Sequence, residues 1–162
     1  MTDVSTETKF TIQSISTPRI DLAFNRTPTN DSYKQAFRVF CEILSDTSMR
    51  VVFGLYLASE EKTDENLPCT SIIVEVAVNV QMSVTIPTGL KKTIDVPWIG
   101  NILAIMYPFI RERIYSCMYH NGMTLFLPPL NTIEILKSST GNPNFQLVDR
   151  RSSTEDKKAA TF

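Results

Sequence analysis

The chain has 162 residues, 43% of them hydrophobic and 20% charged, with a formal net charge of −1. That length supports one domain with a real core, and the near-zero charge leaves no electrostatic footprint for nucleic acid or an anionic membrane. No apolar run approaches the ~20 residues of a membrane-spanning helix, and the opening MTDVSTETKF lacks the basic and apolar regions of a secretory signal. Cys41, Cys69 and Cys117 are widely separated and odd in number, with no metal-ligand spacing. They read as reduced thiols, and the expected location is the cytoplasm.

Residues 1–9 are polar and are expected to form an unstructured tail. Phe10 to Phe24, FTIQSISTPRIDLAF, reads as a strand bent or interrupted near Pro18, because proline cannot donate to a ladder. After the loop NRTPTNDS, FRVFCEIL alternates Phe37, Val39, Cys41 and Ile43 against Arg38 and Glu42. RVVFGLYLA then alternates Val51, Phe53, Leu55 and Leu57. The clearest signal is IIVEVAVNVQMSVTI, in which every even position from Ile72 to Ile86 is apolar. Such period-two alternation fits a strand and not a helix. Four runs with short polar links predict an antiparallel meander with one wet face.

The character changes after Pro87. TGLKKTIDVP reads as a mobile linker, and WIGNILAIMYPFIRERIYSCMYHNG turns helical. Leu103, Met106, Ile110, Ile114 and Cys117 form one stripe, widened by Ile102, Ile105 and Phe109. His120-Asn121-Gly122 is a helix stop, and Asn131 is placed to cap a short helix, TIEILKSS. Residues 139–162 read as a tail with one apolar spot, from Phe145 to Val148. The predicted class is therefore α+β: a four-stranded antiparallel sheet, then a long helix and a short one. The domain runs over residues 10–138.

Catalytic signals are missing. The single histidine, His120, sits in a helix-ending turn. No serine lies in a nucleophile elbow, and the five glycines form no phosphate cradle. The run Glu60, Glu61, Asp64 and Glu65 reads as a solvated turn. No enzyme, cofactor or metal is expected. What stands out is apolar surplus. Phe40, Val52, Tyr56 and Ile73 fall on the supposedly wet face, and one helix about 10 Å wide cannot cover the long strand. Surplus of this kind marks an interface with other copies, with a client, or with both.

FTIQSISTPRIDLAF, MYPFIRERI and HNGMTLFLPPLN together resemble the bacterial export chaperone SecB. That family carries F-x-I-Q-x-I-x-T in its first strand, an FPYARE-like segment in its long helix, and RGTFPQLNLAPVNF after it. The resemblance covers roughly residues 10–136 and implies a homotetramer, a dimer of dimers with helices held between sheets. It further implies an ATP-independent holdase that binds unfolded chains in apolar grooves. By alignment, client-binding candidates are Phe37, Val39 and Cys41 on the second strand, and Ile133 and Leu136 on the short helix. Val74, Val76 and Val78, with the helix residues Leu103 and Ile110, are the expected oligomer interface.

The family docks the motor protein SecA through acidic positions on the sheet. Here Ile73 and Glu75 remain as a remnant of that contact, while Arg19 and Ala23 stand at the matching first-strand positions. A charge reversal at a charge-steered contact is repulsive, so SecA coupling is in doubt. SecB-like proteins also serve toxin–antitoxin systems by holding one aggregation-prone antitoxin. The expected function is therefore a SecB-like chaperone with a restricted client such as an antitoxin. The alternatives are a general export chaperone, a hotdog-like small-molecule-binding or enzyme domain, and a purely structural assembly subunit.

Overall fold

The computed structural model describes residues 10–29, 32–120, 127–139 and 141–151. The expected tail at 1–9, Gly122 of the helix stop, and residues 152–162 lie outside them. In chain order come β1 (Phe10–Phe24), β2 (Tyr33–Ile43), β3 (Ser48–Ser59) and β4 (Thr70–Met82), then a 3₁₀ turn (Thr93–Asp95). They are followed by α1 (Ile99–His120), α2 (Thr132–Lys137) and β5 (Phe145–Asp149).

The class is α+β, as read from the sequence, but the sheet has five strands in the order β1-β4-β3-β2-β5. Two expectations are corrected. First, the strands do not run as a simple meander: β2, β3 and β4 are hairpin neighbours, but β1 crosses back to pair with β4. This Greek-key order gives the long β4 a partner on each side, which suits its near-continuous apolar inner row. Second, the segment read as a tail returns as β5, parallel to the edge of β2. A five-residue strand with two inward apolar side chains, Phe145 and Leu147, carries little periodicity of its own. It depends on the β2 edge for its ladder.

The two faces sort by residue parity. Val39, Cys41, Ile43, Met49, Val51, Phe53, Leu55 and Leu57 point to one face with Ile72, Val74, Val76, Val78, Val80 and Met82. There they pack under Ile102, Leu103, Met106, Ile110, Ile114 and Met118 of α1. β4 ends at Met82, short of the run that extends to Ile86. The chain leaves the sheet there, and Ile86 enters the core from a loop, its N–H bonded to the Asp46 carbonyl at 2.6 Å.

β1 shows how an irregular apolar spacing is rescued. Phe10, Ile12, Ile15, Ile20, Leu22 and Phe24 are separated by steps of two, three, five, two and two. Register shifts at Ile12/Ser14 and at Ser16/Arg19 absorb the odd steps. With these two bulges the row stays on the helix side, opposite Met82, Val80, Val78, Val74, Ile72 and Thr70. The second bulge contains Pro18, where the sequence indicated an interruption.

Of the expected helix signals, the Asn131 cap is present, while of the stop after α1 only His120 is among the described residues. α1 ends at His120, whose Nδ1 lies 2.6 Å from the Ser116 carbonyl. Asn131 caps α2, its side chain accepting from the Glu134 N–H at 3.2 Å. The linker read as mobile is anchored instead: Thr93 and Val96 are buried, and the 3₁₀ turn packs against β2, β5 and α2.

Candidate functional site

An apolar groove of about 250 Å³ opens where the start of α1 meets the anchored linker and α2. It is lined chiefly by Ile94, Val96, Trp98, Ile99, Ile133 and Leu136. Local chemistry builds each wall. α2 is tied to α1 by the Thr132 hydroxyl, which donates to the Gly100 carbonyl at 2.9 Å. Its cap at Asn131 fixes where its first turn begins. That geometry buries Leu136 and leaves Ile133 57% exposed over the groove. On the other wall, Trp98 has φ +64°, a left-handed backbone that bulky residues rarely adopt. Its carbonyl accepts from Ile102, starting the helix, and its ring stands 6.3 Å from Phe10. The indole is still 38% exposed. Beneath, the Thr93 hydroxyl is buried with no hydrogen-bond partner among the described residues. Nothing in this lining is ionisable, so the groove offers shape and apolar contact, not chemistry.

The structure places the sequence-predicted residues unequally. Ile133 and Leu136 line the groove. Val39 and Cys41 lie fully buried in the core beneath the linker and present no surface. Burial pushes the Cys41 thiol up to about 12, which keeps it protonated and inert. Phe37 is half-buried, stacked on Phe53 with ring centroids 6.0 Å apart. Val74, Val76, Val78, Leu103 and Ile110 are buried within the protomer's own core. Ile73 and Glu75 sit on the opposite sheet face, where Arg38 Nη1 donates to Glu75 Oε1 at 2.6 Å and leaves the residue 7% exposed.

Ile94 and Trp98 went unread as site residues. The available signal was the chain's one tryptophan beside isoleucines in a segment that otherwise looks like a polar linker. A second apolar surface lies along β1. Ile20, Leu22 and Phe24 point to the helix side beyond the reach of α1 and stay exposed, as do Ile105 and Phe109 on the outer side of the helix. Among the described residues no group of His, Cys, Asp and Glu could hold a metal ion, and no helix is long and apolar enough to cross a membrane.

No protein-family profile matches the sequence, and no curated protein matches it. Among solved structures, a SecB-like chaperone of Mycobacterium tuberculosis aligns over 75% of this chain and 87% of its own, with a TM-score of 0.56 and 17% identity. The chain has a SecB-like fold. The mycobacterial protein was solved in complex with a peptide, termed ChAD, from the HigA1 antitoxin. The SecB-like fold accounts for the element order of four strands, a long helix and a short helix, and it matches the resemblance carried by the sequence motifs.

Proposed function

We propose that this protein is an ATP-independent chaperone that holds unfolded or aggregation-prone polypeptide. Its restricted client would be the antitoxin of a toxin–antitoxin pair in the cytoplasm. The observation that carries this reading is the preformed apolar groove at Ile94, Trp98, Ile133 and Leu136, set in a SecB-like fold. An extended chain needs apolar pockets at intervals and no reacting groups, and this lining supplies just that. The antitoxin peptide bound by the mycobacterial SecB-like protein supports the choice of client.

Self-association belongs to the same proposal. The open row Ile20, Leu22 and Phe24, together with Ile105 and Phe109, gives a second copy an apolar surface to cover. Val74, Val76, Val78, Leu103 and Ile110 serve that assembly from beneath, by fixing α1 on the sheet, and a tetramer is the expected end state. Phe37, Val39 and Cys41 would support the client site from within the core, without lining the groove. SecA is left out, since the Glu75 carboxylate is occupied by Arg38.

The test is aggregation of a chemically unfolded model protein, followed by light scattering without nucleotide. Stoichiometric protein should suppress it. Ile133→Asp, on an exposed site, should keep the fold and abolish suppression. Trp98→Gly relieves the backbone strain yet removes an indole that is only 38% exposed, so it should weaken client affinity about tenfold, with the strain relief offsetting part of the packing lost. Failure of the unaltered protein to suppress aggregation would reject the holdase. Purification from native cells together with SecA and many secretory precursors would reject the restricted client.

A further inference from the structure

The face of the sheet turned away from α1 is packed against no other element among the described residues. Its side chains fall in rows that cross the strands. One row reads Ala36, Tyr56, Ile73 and Asp21. The next reads Arg38, Gly54, Glu75 and Arg19. A third contains Phe40, Val52 and Ala77, and a fourth runs Glu42, Arg50, Asn79 and Ser14. Neighbouring rows lie about 7 Å apart, two residues along a strand.

Charge on this face is opposite in sign to that of the chain. Lys34, Arg38, Arg19, Arg50 and Arg150 meet only Asp21, Glu42 and Glu75, an excess of two positive charges, whereas the whole chain carries −1. Each carboxylate is already taken: Asp21 by Arg19 at 2.5 Å, Glu75 by Arg38 at 2.6 Å and Glu42 by Arg150 at 2.6 Å. Lys34 and Arg50 have no ion-pair partner among the described residues. A guanidinium has five donors. Arg38 gives one nitrogen to Glu75 and Arg19 gives one to Asp21, so both keep N–H groups for another acceptor.

Between these arginines the sheet has a hollow of about 240 Å³. Gly54 makes it: a Cβ there would stand 3.1 Å from Glu75 Cγ and 3.6 Å from Arg38 Cβ. Tyr56 and Ile73 form one rim. The hollow is thus lined by two guanidiniums, the Glu75 carboxylate that Arg38 pairs, and an apolar edge, and the next cation, Arg50, is about 14 Å away across an apolar row.

We propose that this outer face docks an acidic polypeptide segment of a partner protein, separate from the groove by α2. In an extended chain, alternate residues on one side repeat at about 7 Å. A carboxylate over the Gly54 hollow between Arg19 and Arg38, an apolar residue against Phe40, the half-buried member of the middle row, and a second carboxylate at Arg50 match the rows in order. A polyphosphate backbone fits worse, because it has no apolar residue for the middle row.

The probe is a fluorescent peptide with glutamate, leucine and glutamate at alternate positions, followed by anisotropy. Binding should weaken with added salt, and a glutamine copy should bind about tenfold more weakly. Arg19→Gln and Arg50→Gln should each weaken it about fivefold, while Ile133→Asp leaves it unchanged. Both arginines are at the surface, so the fold survives either change. Equal binding of the glutamine copy, indifference to both arginine changes, or loss on Ile133→Asp would overturn the proposal. So would an arginine-dependent preference for a single-stranded oligonucleotide.

Discussion

The two edges of the sheet are treated in opposite ways. At one, β5 lies along β2, and two arginines fasten it. Arg150 bonds Glu42, while Arg151 donates to the Ile86 carbonyl at 2.8 Å, the Pro87 carbonyl at 3.0 Å and Asp149. At the other, β1 leaves its outer ladder edge unpaired among the described residues and carries Ile20, Leu22 and Phe24 exposed. Bare edges and apolar patches are costly to leave open. A chain that closes one edge with its last described strand and leaves the other open has placed its exposure, and that placement suits assembly on the β1 side.

The largest predicted effect comes from opening the closed edge. Ending the chain after Asn142 removes β5, the cover of Phe145 and Leu147, and both arginine clamps. The loss should be about 3 kcal/mol, or about 10 °C in Tm by calorimetry, with aggregation through the bared β2 edge. An unchanged Tm would mean that β5 is decorative.

This edge is also where the sequence was least legible. The inner row of β4 announced itself by strict alternation, and α1 by its stripe. Their inward residues, from Ile72 to Met82 and from Leu103 to Ile114, face one core, as the periodicity indicated, and Val74, Val76, Val78, Leu103 and Ile110, expected at an oligomer interface, are part of it. β5 stayed hidden because Gly141 and Pro143 precede a run too short to show a period, and because its partner is far away in sequence. The groove was half legible. Ile133 and Leu136 followed from the family resemblance. Ile94 and Trp98 did not, because only tertiary contacts turn a lysine-rich linker into an anchored wall. The crossing of β1 to β4 leaves no local trace either. It is decided by which partner best covers β4.

A smaller effect sharpens the same contrast. The orphan Thr93 hydroxyl sits in the turn packed against β2 and β5. Thr93→Val keeps the shape and removes an unsatisfied polar group, so stability by denaturant titration should rise by about 1 kcal/mol. On the open side, the double change Ile20→Ser and Leu22→Ser should alter protomer stability by less than about 0.5 kcal/mol. Its effect should appear in sedimentation, as a shift to smaller species. If stability falls while the assembly survives, the row is folded against something within the protomer.

The smallest effect is acid-dependent. The Arg151 side chain donates to Asp149 and holds its carboxyl below the usual carboxylate range. A depressed folded value stabilises above the unfolded value of about 4, and the contribution is lost as pH falls through the folded one. Amide protection along β5 should therefore hold at neutral pH and decline, relative to β4, only below about pH 4. Asp149→Asn should remove that difference.

Whether polypeptide is held in the groove is tested most directly by amide exchange with an unfolded client bound. The account predicts new protection at residues 93–100 and 132–138, lost in Ile133→Asp. Client binding that protects neither segment would contradict it.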